Sequence, residues 1–260
     1  LIEKLVKPAL PAVWASTLLN CLRPGKGPEA ASWCGCKIRE AKRSMGHTSE
    51  RKIIEDSAPA RNPIFIRLEP EQAIAVRIVS QAFLVEKSRD EEDKVLARVV
   101  ISCKGLNEYF GVPPRLRLPQ ISLIFALIDF FPRPVFGTAD FRHYFYQFEL
   151  PKEVRHLFVV RTSSSEPDLH CLRVWPMGFS WTPWVAQSAT MLFLYEVRSR
   201  WEEAQGVSPS QRPQELEQFV VVKNSLGRIV AFLLAWYDNL LIIADTSRTR
   251  DTLVRIFAKV

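Results

Sequence analysis

The chain has 260 residues, 47% of them hydrophobic, enough to bury a core in one large domain or two small ones, which excludes a wholly disordered polypeptide. Its 35 Lys and Arg outnumber 28 Asp and Glu, giving a formal charge of +7. That balance suits an anionic partner such as nucleic acid, and equally suits an ordinary solvated basic surface. The five cysteines, Cys21, Cys34, Cys36, Cys103 and Cys171, are odd in number and scattered. They form no disulfide framework of a small secreted domain, so a reducing, intracellular setting, cytoplasm or nucleus, is expected.

Residues 1–62 mix Pro, Gly, Ser and charge without sustained periodicity and read as a poorly ordered basic extension. Lys4, Lys7, Pro8 and Pro11 interrupt its apolar stretch, so no signal peptide is expected. Cys34, Cys36 and His47 have two readings, part of a zinc site or, for the cysteines, unremarkable free thiols; their spacing matches no common finger.

From residue 63 onward the pattern is that of an α+β domain. Gln72 to Glu86 reads as a helix running into an apolar strand that ends at Phe83-Leu84-Val85. A charged loop from Lys87 to Lys94 then leads into a second strand, Val95 to Cys103, predicting a hairpin. Ile121 to Phe130 is an apolar helix, and Val135 to Ala139 a short strand ending at Asp140. Trp184 to Glu203 is a long helix. Ser199 to Arg228, with Pro209, Pro213 and Gly227, reads as a surface insertion. Ile229 to Trp236 and Leu240 to Ala244 are strands joined by so few residues that they predict a hairpin. This longest apolar run carries Asp238 and Asn239 and is shorter than the ~20 residues of a bilayer span, so no membrane segment is expected.

Asp238 lies between two of the most apolar segments, where an unpaired carboxylate would carry a desolvation cost. One reading is a hairpin turn exposing Asp238 and Asn239 at its tip. The other pairs Asp238 with Asp140, since each carboxylate ends a short apolar strand and neighbouring strand ends would place both around one divalent cation. Magnesium takes such hard oxygen ligands and completes its shell with water and phosphate oxygens.

Four segments, in order, carry a resemblance. They are Arg98-Val99-Val100-Ile101-Ser102-Cys103-Lys104-Gly105-Leu106-Asn107, Gly137-Thr138-Ala139-Asp140-Phe141 continuing to Gln147, Trp175-Pro176-Met177-Gly178-Phe179 with Thr182-Pro183 and Gln187, and Trp236-Tyr237-Asp238-Asn239-Leu240. Residues 83 to 245 resemble the reverse transcriptases of retroviruses and retrotransposons. The resemblance implies an α+β right-hand polymerase over residues 63–260, its fingers and palm built on an antiparallel palm sheet backed by helices, with the chain ending before a thumb as a fragment of a longer polypeptide. It implies an RNA-directed DNA polymerase that uses an RNA template, a DNA or RNA primer, deoxynucleoside triphosphates and two magnesium ions, for which manganese can substitute.

The residue roles follow from the same resemblance. Asp140 and Asp238 match the catalytic metal-binding carboxylates, and Phe141 would offer its backbone carbonyl to the metal. Phe145 falls where the family places a ring under the incoming sugar, against a 2′-hydroxyl; its alternative is core packing. Arg98 matches a fingers arginine that grips the triphosphate with its planar fork. Lys87 is either a second phosphate-binding cation or a solvated surface lysine. Gly178 would let backbone approach template or nucleotide closely. Gln187 is either part of the motif or a polar surface residue.

Two departures bear on activity. The hairpin has Asn239 where the family has a second Asp, and Trp236 where it has Tyr; a neutral amide offers a metal only its carbonyl oxygen. The alternatives are therefore a decayed relic or non-enzymatic nucleic-acid-binding module of the same fold, and an RNA-dependent RNA polymerase, which Phe145 disfavours.

Overall fold

The structure, a computed structural model, describes residues 64–68, 76, 78–89, 95–141, 144–161, 169–211 and 217–260. The expected N-terminal extension, with Cys21, Cys34, Cys36 and His47, lies outside them. Among the described residues the chain is mixed α+β, with nine strands and four α-helices in two sheets that are antiparallel except for one pair. It divides into two compact units, one holding residues 64–113 with Phe145–Thr182, the other Pro114–Tyr144 with Pro183–Val260.

The first unit carries a five-stranded sheet in the order β1 (Phe65–Arg67), β6 (Leu169–Leu172), β5 (Val159–Arg161), β2 (Val79–Arg89), β3 (Val95–Ile101). β2 and β3 form the expected hairpin, with Val85 across from Arg98 and a bulge between Glu86 and Ser88. The strand expected to end at Phe83-Leu84-Val85 runs from Val79 to Arg89, with β5 and β3 as its ladder partners, and the helix expected to lead into it from Gln72 falls largely outside the described residues. A run such as Val-Ser-Gln-Ala-Phe-Leu-Val is ambiguous by propensity, and tertiary pairing decides it. A short helix, α1 (Lys104–Tyr109), follows. Phe110, Phe158 and Phe179 fill the core with ring centroids 5.0 to 5.7 Å apart, and Trp175 stacks on Phe179. Cys103 and Cys171 are buried, and Cys103 Sγ donates to the Met177 carbonyl at 3.9 Å.

The second unit is built on a four-stranded antiparallel sheet in the order β4 (Val135–Asp140), β9 (Asn239–Ala244), β8 (Ile229–Trp236), β7 (Phe219–Lys223). Cross-strand partners share a face, so the register puts Phe232 with Ile243 and Leu234 with Leu241 on one face. Helix α2 (Ile121–Ile128) covers that face through Leu127, joined by Phe131. The other face bears Leu233, Ala235, Leu240 and Ile242, and helix α4 (Ser247–Phe257) lies against it. Gly137 leaves the room that α4 needs, because a Cβ there would come within 3.1 Å of the Arg250 side chain.

The long helix α3 (Thr182–Ala204) bonds to the sheet backbone, with Trp201 Nε1 donating to Lys223 O at 2.8 Å. β7 corrects the reading of residues 199–228 as a surface insertion. Val220 and Val222 are fully buried in that strand, and α3 itself runs to Ala204. Arg198 and Glu202 further tie the following loop down, through bonds to Ser210 and Gln211.

Candidate functional site

The end of the four-stranded sheet brings the expected carboxylates together. β4 terminates at Asp140, whose ladder partner on β9 is Asn239. Trp236 also pairs with Asn239, so β8 and β9 are joined by a two-residue turn, Tyr237-Asp238. The Phe141 N–H donates to the Asp238 carbonyl at 3.1 Å, extending the ladder one step past Asp140. Asp140 and Asp238 therefore sit at the same end of neighbouring strands, one position out of register. Asp140 and Asn239 are exposed and Asp238 is half-buried, so the desolvation anticipated from its apolar flanks is largely avoided. Asn239 is the first residue of β9, not part of the turn, and its Nδ2 donates to Asp238 Oδ1 at 3.0 Å.

Beneath the turn is a buried polar network supplied by α3. Gln187, 3% exposed, donates from Nε2 to the Ala235 carbonyl at 3.0 Å and accepts the Tyr237 N–H on Oε1 at 2.8 Å. The reading of Gln187 as a surface residue is thus corrected: the hairpin backbone closes over it. Thr190 donates its hydroxyl to the Tyr237 carbonyl and lies against the Tyr144 hydroxyl, which also reaches the Ala186 carbonyl at 3.1 Å. Burial pushes the Tyr144 phenol well above its ordinary range; the bond to Thr190 opposes the shift and the charge of Asp238 adds to it. The Tyr144 ring stacks on Phe141 at 5.0 Å, and Phe141 meets Phe193 of α3 edge-on at 5.2 Å. Trp236 is anchored from the other side, Nε1 donating to Pro119 O at 3.1 Å.

The remaining expected residues belong to the other unit. Phe145 is half-buried in the 3-10 turn Tyr144–Gln147. Gly178 is exposed with φ +96°, a conformation that a side chain would strain. Its turn is held by Asn107, which donates Nδ2 to the Gly178 carbonyl at 3.0 Å and accepts the Ser180 N–H at 2.7 Å. Two of the four sequence motifs are thus physically joined, by a residue to which the sequence reading assigned no role. Arg98 stands across from Val85 in the β2–β3 ladder, and Lys87 occupies the extra position at the bulge, in strand and not in a loop.

Tyr144 and Thr190 went unassigned in the sequence because a hydroxyl in an apolar helix or a motif has no local signature of its partner. Two solvent-accessible carboxylates with waters to complete the shell are a donor set that suits magnesium, which is commonly held by one or two carboxylates plus substrate phosphates. No group of three or more His, Cys, Asp or Glu is assembled among the described residues. No helix among them is long and apolar enough to cross a membrane. No protein-family model matches the sequence, and no curated protein matches it.

Proposed function

We propose that the chain is the fingers and palm of an RNA-directed DNA polymerase of the retroelement type, acting inside the cell on an RNA template, a primer and deoxynucleoside triphosphates. The observation that carries the reading is the pairing of β4 with the β8–β9 hairpin, which sets Asp140 and Asp238 at one sheet end. Magnesium, or manganese in its place, would supply activation of the primer hydroxyl and stabilisation of the leaving pyrophosphate. Asp140 and Asp238 would hold it, with Phe141 offering its carbonyl. In this reading Arg98 and Lys87 take the triphosphate, Phe145 disfavours a 2′-hydroxyl, and Gly178 lets the chain backbone approach the nucleotide.

A second reading, a polymerase fold that has lost its reaction, draws support from Asn239. It stands directly across from Asp140, where a carboxylate would add a third anionic ligand, and its amide occupies a lone pair of Asp238. Primer extension on an RNA template separates the two. Under the first reading the chain, joined to a thumb, extends a primer with magnesium or manganese, Asn239→Asp raises the rate, and Asp238→Asn lowers it by about 10²- to 10³-fold, the cost of one lost transition-state contact. Extension that appears only with Asn239→Asp establishes the second reading, and Asp238→Asn at the unsubstituted rate removes Asp238 from the site.

A further inference from the structure

The turn that carries Asp238 contains a residue ill suited to it. Tyr237 has φ +56°, in the left-handed region that glycine enters freely and a bulky side chain resists. Such a conformation persists only where its surroundings over-determine it, and here α3 provides them. The Gln187 amide uses both ends, donating to Ala235 O and accepting from Tyr237 N, so it spans the start of the turn. Reversing that amide would set two donors face to face at Tyr237 N, which makes its orientation unambiguous. Three residues along the helix, Thr190 takes the opposite side of the same residue, at the Tyr237 carbonyl. Thr190 Oγ1 also lies 3.0 Å from the Ala186 carbonyl, a second acceptor for its one proton; when that proton goes to Tyr237, the Tyr144 hydroxyl donates to Thr190. Tyr237 is thus gripped at both its N–H and its C=O, and Asp238 is the next residue.

We propose that Gln187 and Thr190 are positioning residues for the candidate metal site: they hold Tyr237 in its left-handed conformation and thereby keep Asp238 at the end of the strand beside Asp140. The claim about the metal rests on Asp140 and Asp238 being its ligands; the claim about the turn does not. A glutamine buried only to fill space would be replaceable by an apolar residue of similar length without consequence at Asp238. A glutamine that opposes strain at Tyr237 becomes dispensable once the strain is removed.

The test uses the 260-residue chain with two readouts, Mn²⁺ affinity by electron paramagnetic resonance and amide hydrogen exchange at Tyr237. Gln187→Met should accelerate that exchange and weaken Mn²⁺ binding by about 10- to 100-fold, the usual cost of losing a residue that orients a metal ligand. Adding Tyr237→Gly to Gln187→Met should restore most of the affinity, because glycine adopts the turn unaided. Thr190→Val should resemble Gln187→Met and Thr190→Ser the unsubstituted chain, which decides the matter if Gln187→Met does not fold. If Asp238→Asn abolishes Mn²⁺ binding while Gln187→Met and Thr190→Val leave it unchanged, the positioning role is wrong and the metal reading stands. If Asp238→Asn binds Mn²⁺ as the unsubstituted chain does, the metal reading and the positioning role fall together, and exchange at Tyr237 unaltered by Gln187→Met removes the claim about the turn as well.

Discussion

Asn239 and Tyr144 show how single side chains set the chemistry available at the sheet end. Asn239 keeps the hydrogen-bonding shape of an aspartate but not its charge, and spends one donor on Asp238. Tyr144 is a phenol 2% exposed whose proton is held by burial, so it acts as a hydrogen-bond donor at any ordinary pH. A linkage follows with a definite sign. An unfolded tyrosine loses its proton near about pH 10, whereas folded Tyr144 keeps it to higher pH. Its contribution to stability is therefore complete below about pH 10 and lost as the pH climbs toward the folded value. Denaturation midpoints measured from pH 8 upward should decline beyond about pH 10, and Tyr144→Phe should flatten that decline. Tyr195, also raised by burial, is present in both proteins and cancels from the comparison. Identical slopes would place the Tyr144 hydroxyl in contact with water.

At the scale of elements, helix α2 illustrates what the sheet demands of its neighbours. Its sequence, Ile-Ser-Leu-Ile-Phe-Ala-Leu-Ile, is apolar on nearly every side, so composition alone assigns no inner face. The structure does: Leu127 is 7% exposed in the cluster with Phe131, Phe232, Leu234 and Ile243, while Ile121 is 71% exposed on the same helix. Leu127→Ala should cost about 2 to 5 kcal/mol, combining lost transfer energy with the cavity left behind. Ile121→Ala should stay within about 0.5 kcal/mol, as surface changes do. Urea unfolding of both variants checks the pair, and comparable losses would mean that the helix is rotated from the orientation described. The β8–β9 hairpin makes the complementary point. Six consecutive residues of β8, Val230 to Ala235, are buried, as expected of a strand covered on both faces, and this leaves the turn as the place where a carboxylate meets solvent.

For the whole molecule, the chain passes between its two units at residues 113–114, 144–145 and 182–183, so the motifs alternate between them. Asp140 and Tyr144 close one segment, and Phe145 opens the next. A net charge of +7 spread over such a chain is consistent with the proposed nucleic-acid partner, and salt tests it. If roughly four phosphates are neutralised on a duplex, log K should fall against log salt with a slope near −3.6, a loss of roughly 10²-fold between 50 and 200 mM. Fluorescence anisotropy with an RNA–DNA hybrid measures the slope directly. A slope near zero at measurable affinity would leave the basic surface as merely solvated and weaken the polymerase reading at its foundation.

What the sequence determined by itself was local: hydrophobic period and turn residues located the β2–β3 hairpin, the strand ending at Asp140, helices α2 and α3, and the β8–β9 hairpin, because a strand or helix must repeat its apolar residues at its own period. It also named Asp140 and Asp238 as a pair, from their places at strand ends. Tertiary structure alone decided that the strand expected to end at Val85 starts at Val79 and continues to Arg89, and that Phe219–Lys223 is an edge strand and not part of an insertion. A short, largely apolar run has no fixed state until a neighbouring strand offers hydrogen bonds. It alone decided the partners of Gln187, which lie 48 and 50 positions away, and of Asn107 at 71. A polar side chain announces that it requires a partner when buried, but whether it is buried, and against which backbone group, is settled only when the sheet and helix close over it.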